Sequence, residues 1–152
     1  MTVKIDDIID AVDFDSYMSE SFLNTKTEKV CIFTHDELQA AEKGVDLSDS
    51  AQWYCEAVAS SKYYLENQQD YLSLPEKYDF NEYRIMEKFI ARVVIPTQSE
   101  MLYQSIKGKG AFRRFKTVLT KLGLVDEWYE YRGKKLREFV EFWCEENKVS
   151  FE

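Results

Sequence analysis

The sequence predicts an α+β fold, predominantly helical, and three observations carry that reading. Apolar residues recur at helical spacing along most of the chain, Gly and Pro punctuate those runs, and one N-terminal stretch instead holds two short aromatic and β-branched segments. With 152 residues, 45% of them apolar, the chain can bury about 70% of its unfolded surface, enough for one domain over 1–152. The prediction is an N-terminal β-hairpin packed on about seven helices.

Ile5, Ile8, Ile9 and Val12 fall at i, i+3, i+4 and i+7 and predict an opening helix whose Asp6, Asp7 and Asp10 face water. Residues 17–23 and 30–33 predict the two hairpin strands, with the polar run 24–28 between them. A lone hairpin is marginal in water, so one face must lie on helices. Thr34 and Glu37 form a capping-box pattern and Gly44 supplies the stop of a short helix.

Asp49 with Gln52 repeats that start signal ahead of a longer helix over 51–69, with Trp53, Ala57, Tyr64 and Leu65 inward. Residues 72–75 are a break. Asp79 with Glu82 opens a helix carrying Tyr83, Met86, Phe89, Ile90 and Val93, which Pro96 forbids from continuing. Thr97 with Glu100 opens the next, ending at Gly108 and Gly110. Phe112, Phe115, Val118, Leu119 and Leu122 then mark one face of a helix closed by Gly123. Asp126 starts the last helix, striped by Leu136, Phe139, Val140 and Trp143, with Glu130–Lys134 and Lys134–Glu138 as i,i+4 charge pairs on its outer surface.

The net charge of −8 argues against a whole surface that binds nucleic acid or anionic membranes, because phosphate needs locally positive potential. The opening MTVKIDDIIDAV lacks the basic and apolar regions of a signal peptide, and no apolar run reaches the roughly 18 residues of a membrane span. Cys31, Cys55 and Cys144 are odd in number and form no CxxC pair. They read as reduced thiols of a cytoplasmic protein, with no disulfide, metal or cofactor expected.

The only histidine, His35, sits beside Asp36 and Glu37 in a first helical turn and reads as solvated or capping, so no catalytic residue is assigned. Asp6, Asp7, Asp10 and Glu141, Glu145, Glu146 read as exposed helix acids, since they lack the spacing of a cation-binding loop.

Charge is unevenly distributed. Residues 1–100 carry 9 Lys+Arg and 20 Asp+Glu, whereas 101–152 carry 11 and 8. The window 101–125 has no acid yet holds Lys107, Lys109, Arg113, Arg114, Lys116 and Lys121. On a helical wheel Arg113, Arg114, Lys116 and Lys121 project away from the Phe115 and Leu119 face. The Gly108-Lys109-Gly110 turn precedes the helix start, where free backbone N–H groups attract anions. The expected site is therefore an anion-binding face of Lys107, Lys109, Gly110, Arg113, Arg114, Lys116 and Lys121, with Lys134, Lys135 and Arg137 as outer contacts. Neither a Walker spacing nor GxGxxG is present.

The function expected from this face is an intracellular, non-enzymatic binding module for a polyanion, either nucleic acid or an acidic protein. The plainer reading of the same face is a solvated helix surface paired to the chain's own acids. The alternative function is partner binding or self-assembly, as a homodimer for example, through exposed aromatics. Consecutive aromatics cannot all face inward, so Tyr54, Tyr63, Tyr129 and Phe142, with Arg132, are the interface candidates. A small hydrolase or transferase is the third class, and needs acids converging in a pocket. No membrane partner is expected.

The run Ile106-Lys-Gly-Lys-Gly-Ala-Phe-Arg-Arg-Phe-Lys116, with LVDEWYEYR at 124–132 and FWCEENKV at 142–149, resembles the bacterial uncharacterised protein family number 0158. Leu74-Pro75 and the YRIMEKFI run at 83–90 look like the same family's central segment. Its usual Thr-Gly-Glu-Val hairpin turn is replaced by Thr27-Glu28-Lys29-Val30. The resemblance implies a cytosolic bacterial protein, and brings no activity and no catalytic residues.

Overall fold

The computed structural model describes residues 1–14 and 16–152. They form two compact units, one of 1–77 with 140–152 and one of 78–139. The fold is α+β and mainly helical, with eight α-helices among the described residues, one of them a single turn.

The first unit opens with strand β1 (Thr2–Val3) and helix α1 (Ile5–Phe14), which buries Ile5, Ile8, Ala11 and Val12 at the expected spacing. Strands β2 (Ser19–Asn24) and β3 (Lys29–Thr34) are the predicted hairpin, paired from Ser19 opposite Thr34 to Asn24 opposite Lys29. Tyr17 and Met18, expected in the first strand, lie ahead of it and are exposed. The turn is built by Asn24, whose side-chain oxygen accepts from the backbone of Lys26 and Thr27, while its carbonyl accepts from Glu28. Glu28 takes φ +63°, the left-handed region that glycine enters without strain.

A stability prediction follows from that torsion. Glu28→Gly should raise stability by about 0.5–1 kcal/mol, the roughly 1–2 kcal/mol that a Cβ costs in the left-handed region less the roughly 0.5–1 kcal/mol that glycine's extra freedom costs on folding. Urea unfolding checks it: the midpoint should rise at unchanged m-value, and a lower midpoint would contradict it.

The hairpin meets helices on both faces. Phe22 and Phe33 cluster with Leu38 of helix α2 (His35–Lys43) and with Tyr64 and Leu65 of helix α3 (Gln52–Glu66). The rings of Phe22 and Tyr64 lie 4.4 Å apart, and those of Phe33 and Tyr64 5.2 Å. The opposite face, which includes the fully buried Leu23, meets α1. The Thr34–Glu37 capping box forms in full and Gly44 closes α2 in the left-handed region. In contrast, Asp49 does not cap α3. Ala51 occupies that position without a side-chain hydrogen bond, and Trp53 points outward, 70% exposed, leaving Val58 and Ser61 as the buried positions.

Residues read as a break form a third strand. After a 3₁₀ turn (Gln68–Asp70), strand β4 (Tyr71–Ser73) adds antiparallel to the far edge of β2, giving the order β3-β2-β4. Three residues are too few to show alternation, yet Tyr71 joins the aromatic cluster, its ring 5.0 Å from that of Tyr64. At the other end of the chain, β5 (Ser150–Phe151) pairs in parallel with β1.

In the second unit, the one-turn helix α4 (Lys77–Phe80, its first residue in the first unit) leads to α5 (Glu82–Ile90). The cap of α5 is Asn81, at φ +52° with its side chain accepting from Arg84 N–H, rather than the expected Asp79. The helix ends before Val93. Helix α6 (Pro96–Ser105) takes Pro96 in its first turn, where a missing N–H is harmless, so Thr97 is already inside it. Helix α7 (Ala111–Leu122) runs between left-handed glycines at 110 and 123. Helix α8 (Val125–Glu146), whose residues from Val140 onward belong to the first unit, begins one residue before the expected Asp126.

The core of this unit is aromatic. Trp128 is 2% exposed and meets Phe115 and Phe89 edge-on, with centroids 4.9 and 5.4 Å away. Phe89 in turn lies 5.6 Å from Tyr131. On α8, Leu136 and Val140 are buried and Phe139 and Trp143 half-buried. Among the described residues its two expected charge pairs are not made. Lys135 reaches Glu138 instead, at 3.3 Å.

Candidate functional site

The charge asymmetry follows the structural division. The second unit holds 13 Lys+Arg against 8 Asp+Glu, a balance of +5, while the first holds 7 against 20. The cations of the expected face therefore belong to a unit whose own net charge is positive.

The buried stripe of α7 is Ala111, Phe115 and Leu119, one residue per turn at i, i+4 and i+8. That geometry turns Arg113, Lys116 and Lys121 into solvent, and the preceding turn exposes Lys107 and Lys109. Among the described residues none of these five forms an ion pair with a carboxylate. Lys107 instead places its ammonium 5.0 Å from the centroid of the Tyr103 ring. Among the described residues these side chains lack the pairing with the chain's own acids on which the plainer reading rests.

Arg114 behaves differently from its neighbours. Its guanidinium folds back over the turn and donates to the carbonyls of Ser105 (2.9 Å), Lys107, Gly108 (3.4 Å) and Lys109. Each of its three nitrogens donates to a backbone oxygen, so it organises the turn that displays Lys107 and Lys109. Gly110 serves the same turn: φ is +77°, and a Cβ there would approach the Arg114 guanidinium to 3.0 Å. The expected seven-residue face thus resolves into five displayed cations and two residues that shape the loop.

Two aromatic side chains complete this surface. Phe112, expected to face inward, lies at the edge of the buried stripe because Ala111 fills the inner position, and it is 48% exposed. Tyr103, on α6, is 47% exposed. Neither was picked out from the sequence, although both fall in the acid-free window, and Phe112 directly precedes the Arg113-Arg114 pair.

The interface candidates divide between the units, Tyr54, Tyr63 and Phe142 in the first and Tyr129 and Arg132 in the second. Tyr63, Tyr129 and Phe142 are each at least half exposed. Tyr54 is half-buried and donates its hydroxyl to Asp36 at 2.7 Å, a bond that pushes its pKa up. Arg132 is half-buried and forms an ion pair with Glu82, so it does not extend the basic face. Burial raises the pKa of Tyr64, Tyr71, Cys31 and Cys144, while Asp46 is lowered by hydrogen bonds from Ser48. His35 is exposed at the start of α2.

Among the described residues no cluster of three or more His, Cys, Asp or Glu side chains is placed to hold a metal ion, and no helix is long and apolar enough to cross a membrane. Among curated proteins and among solved structures, no match to the chain is found. A family model does match, over residues 44–152. The match starts at the glycine that closes α2, leaves out the hairpin, and takes in every residue of the basic surface. By that match, which covers well over half of its length, the chain belongs to the uncharacterised protein family UPF0158.

Proposed function

We propose that the α6–α7 surface of the second unit binds single-stranded nucleic acid, with Lys107, Lys109, Arg113, Lys116 and Lys121 meeting phosphates and Tyr103 and Phe112 stacking on bases. The observation that carries this reading is five exposed cations without carboxylate partners among the described residues, on a chain whose overall charge is −8. Leaving such charges uncompensated among 28 acids is what a surface kept for an external anion requires. The two half-exposed rings favour nucleic acid over an acidic protein, because a base offers a π-face to every aromatic it meets. The three cysteines are free, which supports a reducing compartment such as the bacterial cytoplasm.

The test is fluorescence anisotropy with a labelled oligothymidylate, against the unlabelled strand and poly-glutamate as competitors. Each stacked base contributes about 1–3 kcal/mol, so Phe112→Ala should weaken oligonucleotide binding by about tenfold. Poly-glutamate competing as well as the unlabelled strand, with Phe112→Ala unchanged, would replace this reading by that of an acidic protein partner.

A further inference from the structure

In the order β3-β2-β4, strand β3 has a neighbour on one side only. The carbonyl of Ser21 accepts from Leu74 N–H, and Thr25 N–H donates to the carbonyl of Asp70, so the odd-numbered residues along β2 turn their backbone groups toward β4. The even-numbered ones face β3, in line with the bonds from Glu28 N–H to Asn24 and from His35 N–H to Met18. Opposite them Lys29, Cys31 and Phe33 bond inward, while Val30, Ile32 and Thr34 turn N–H and C=O to the outside. Thr34 is already engaged, its N–H donating to the Glu37 carboxylate at 3.0 Å and its carbonyl starting the α2 ladder. Among the described residues nothing bonds the outward N–H and C=O of Val30 and Ile32.

Sheet edges are ordinarily blunted by a central lysine, a proline or a bulge. Strand β3, KVCIFT, pairs without interruption, carries its one charge at the first position, and leaves Ile32 41% exposed.

We propose that β3 is the docking edge for a second copy of this chain, paired antiparallel about a two-fold axis at Cys31. Val30 stands opposite the partner's Ile32 and Ile32 opposite the partner's Val30, so every free group of both edges is used, in four hydrogen bonds. Other registers waste them. Centring the axis on Ile32 sets Val30 against the partner's Thr34, whose groups are taken, and centring it on Val30 meets the partner's Glu28, whose N–H is held by Asn24 and whose φ of +63° leaves the strand conformation. Charge agrees with the Cys31 register. Lys29 falls opposite the partner's Phe33, next to the partner's Glu20 on the same face. Lysine and glutamate are then two strand spacings apart, about 10 Å between Cα atoms, a gap that two long exposed side chains span. Symmetry makes that pair twice.

The experiment is sedimentation equilibrium of the full-length protein in reducing buffer at about 0.5 M salt. That salt screens the repulsion between two units of 7 Lys+Arg against 20 Asp+Glu, and keeps nucleic acid from bridging them. The mass should be about twice the 18.0 kDa of one chain. Ile32→Pro removes an N–H that faces away from β2, and should return the mass to one chain with an unchanged far-UV circular dichroism spectrum. Diamide reports the register, taking up two thiol hydrogens as the S–S bond forms. Facing Cys31 residues in a pair without hydrogen bonds have Cα atoms about 4.5 Å apart, inside the disulfide range. The cross-linked dimer should form in the parent and in Cys55→Ser, and be lost in Cys31→Ser. A single-chain mass at about millimolar protein, a dimer that folded Ile32→Pro retains, or no cross-link through Cys31 would overturn the proposal. Should Ile32→Pro unfold, the cross-link decides alone.

Discussion

Reversing Arg113 and Lys116 together to glutamate is expected to weaken oligonucleotide binding by about a hundredfold, roughly tenfold for each reversed charge. Both side chains are exposed and form no ion pair among the described residues, so their reversal breaks none of these. Thermal stability should stay within about 0.5 kcal/mol of the parent, as for most surface substitutions. Choosing Arg113 with Arg114, as the adjacent pair in the sequence invites, would confuse two effects. Arg114 holds four backbone carbonyls of the 105–109 segment, and removing it would leave those oxygens without their donor. A double reversal at 113 and 116 that bound as well as the parent, by anisotropy at the same salt, would rule out the displayed cations as the contact.

The second large effect is on stability. Trp128→Ala should lower unfolding free energy by about 3–5 kcal/mol, the usual loss for deleting a large buried aromatic. Trp128 is 2% exposed, and its ring joins α8 to Phe115 of α7 and Phe89 of α5. A domain of this size has a total of only about 5–15 kcal/mol, so the variant should unfold at much lower denaturant. Guanidinium unfolding monitored by far-UV circular dichroism checks it. A loss below about 1 kcal/mol would mean that the three rings do not form the centre of this unit.

Long periodic segments were legible from residue order alone, because a helix that buries one face repeats its apolar positions every three or four residues. Ile5, Ile8 and Val12 marked α1 correctly, and the Thr34–Glu37 box with Gly44 marked both ends of α2. The two-residue strands β1 and β5 and the three-residue β4 could not be read that way, since their existence depends on partners far along the chain. Capping patterns were equivocal for the same reason. Asp49 and Asp79 each carry an acceptor three residues before a Gln or Glu, yet the structure begins those helices at Ala51 and Asn81, where the chain direction set by neighbouring elements allows it.

The site was legible as a composition and illegible as a geometry. An acid-free window with six bases is visible in the sequence, and five of those six are displayed. That Arg114 folds onto its own turn depends on the left-handed glycines at 108 and 110 bringing four carbonyls together, which no spacing rule encodes. Phe112 shows the converse. Its place on the wheel borders the apolar stripe, and the smaller Ala111 decides which of the two is buried.

The most direct test of the central claim is the salt dependence of oligothymidylate affinity for the unmodified protein. With about four or five phosphates contacted by the displayed cations, log Kd against log salt should have a slope of magnitude about 3. Submicromolar binding at low salt, weakening along that slope, is the predicted result. No binding at low salt, or an affinity independent of salt, would contradict it.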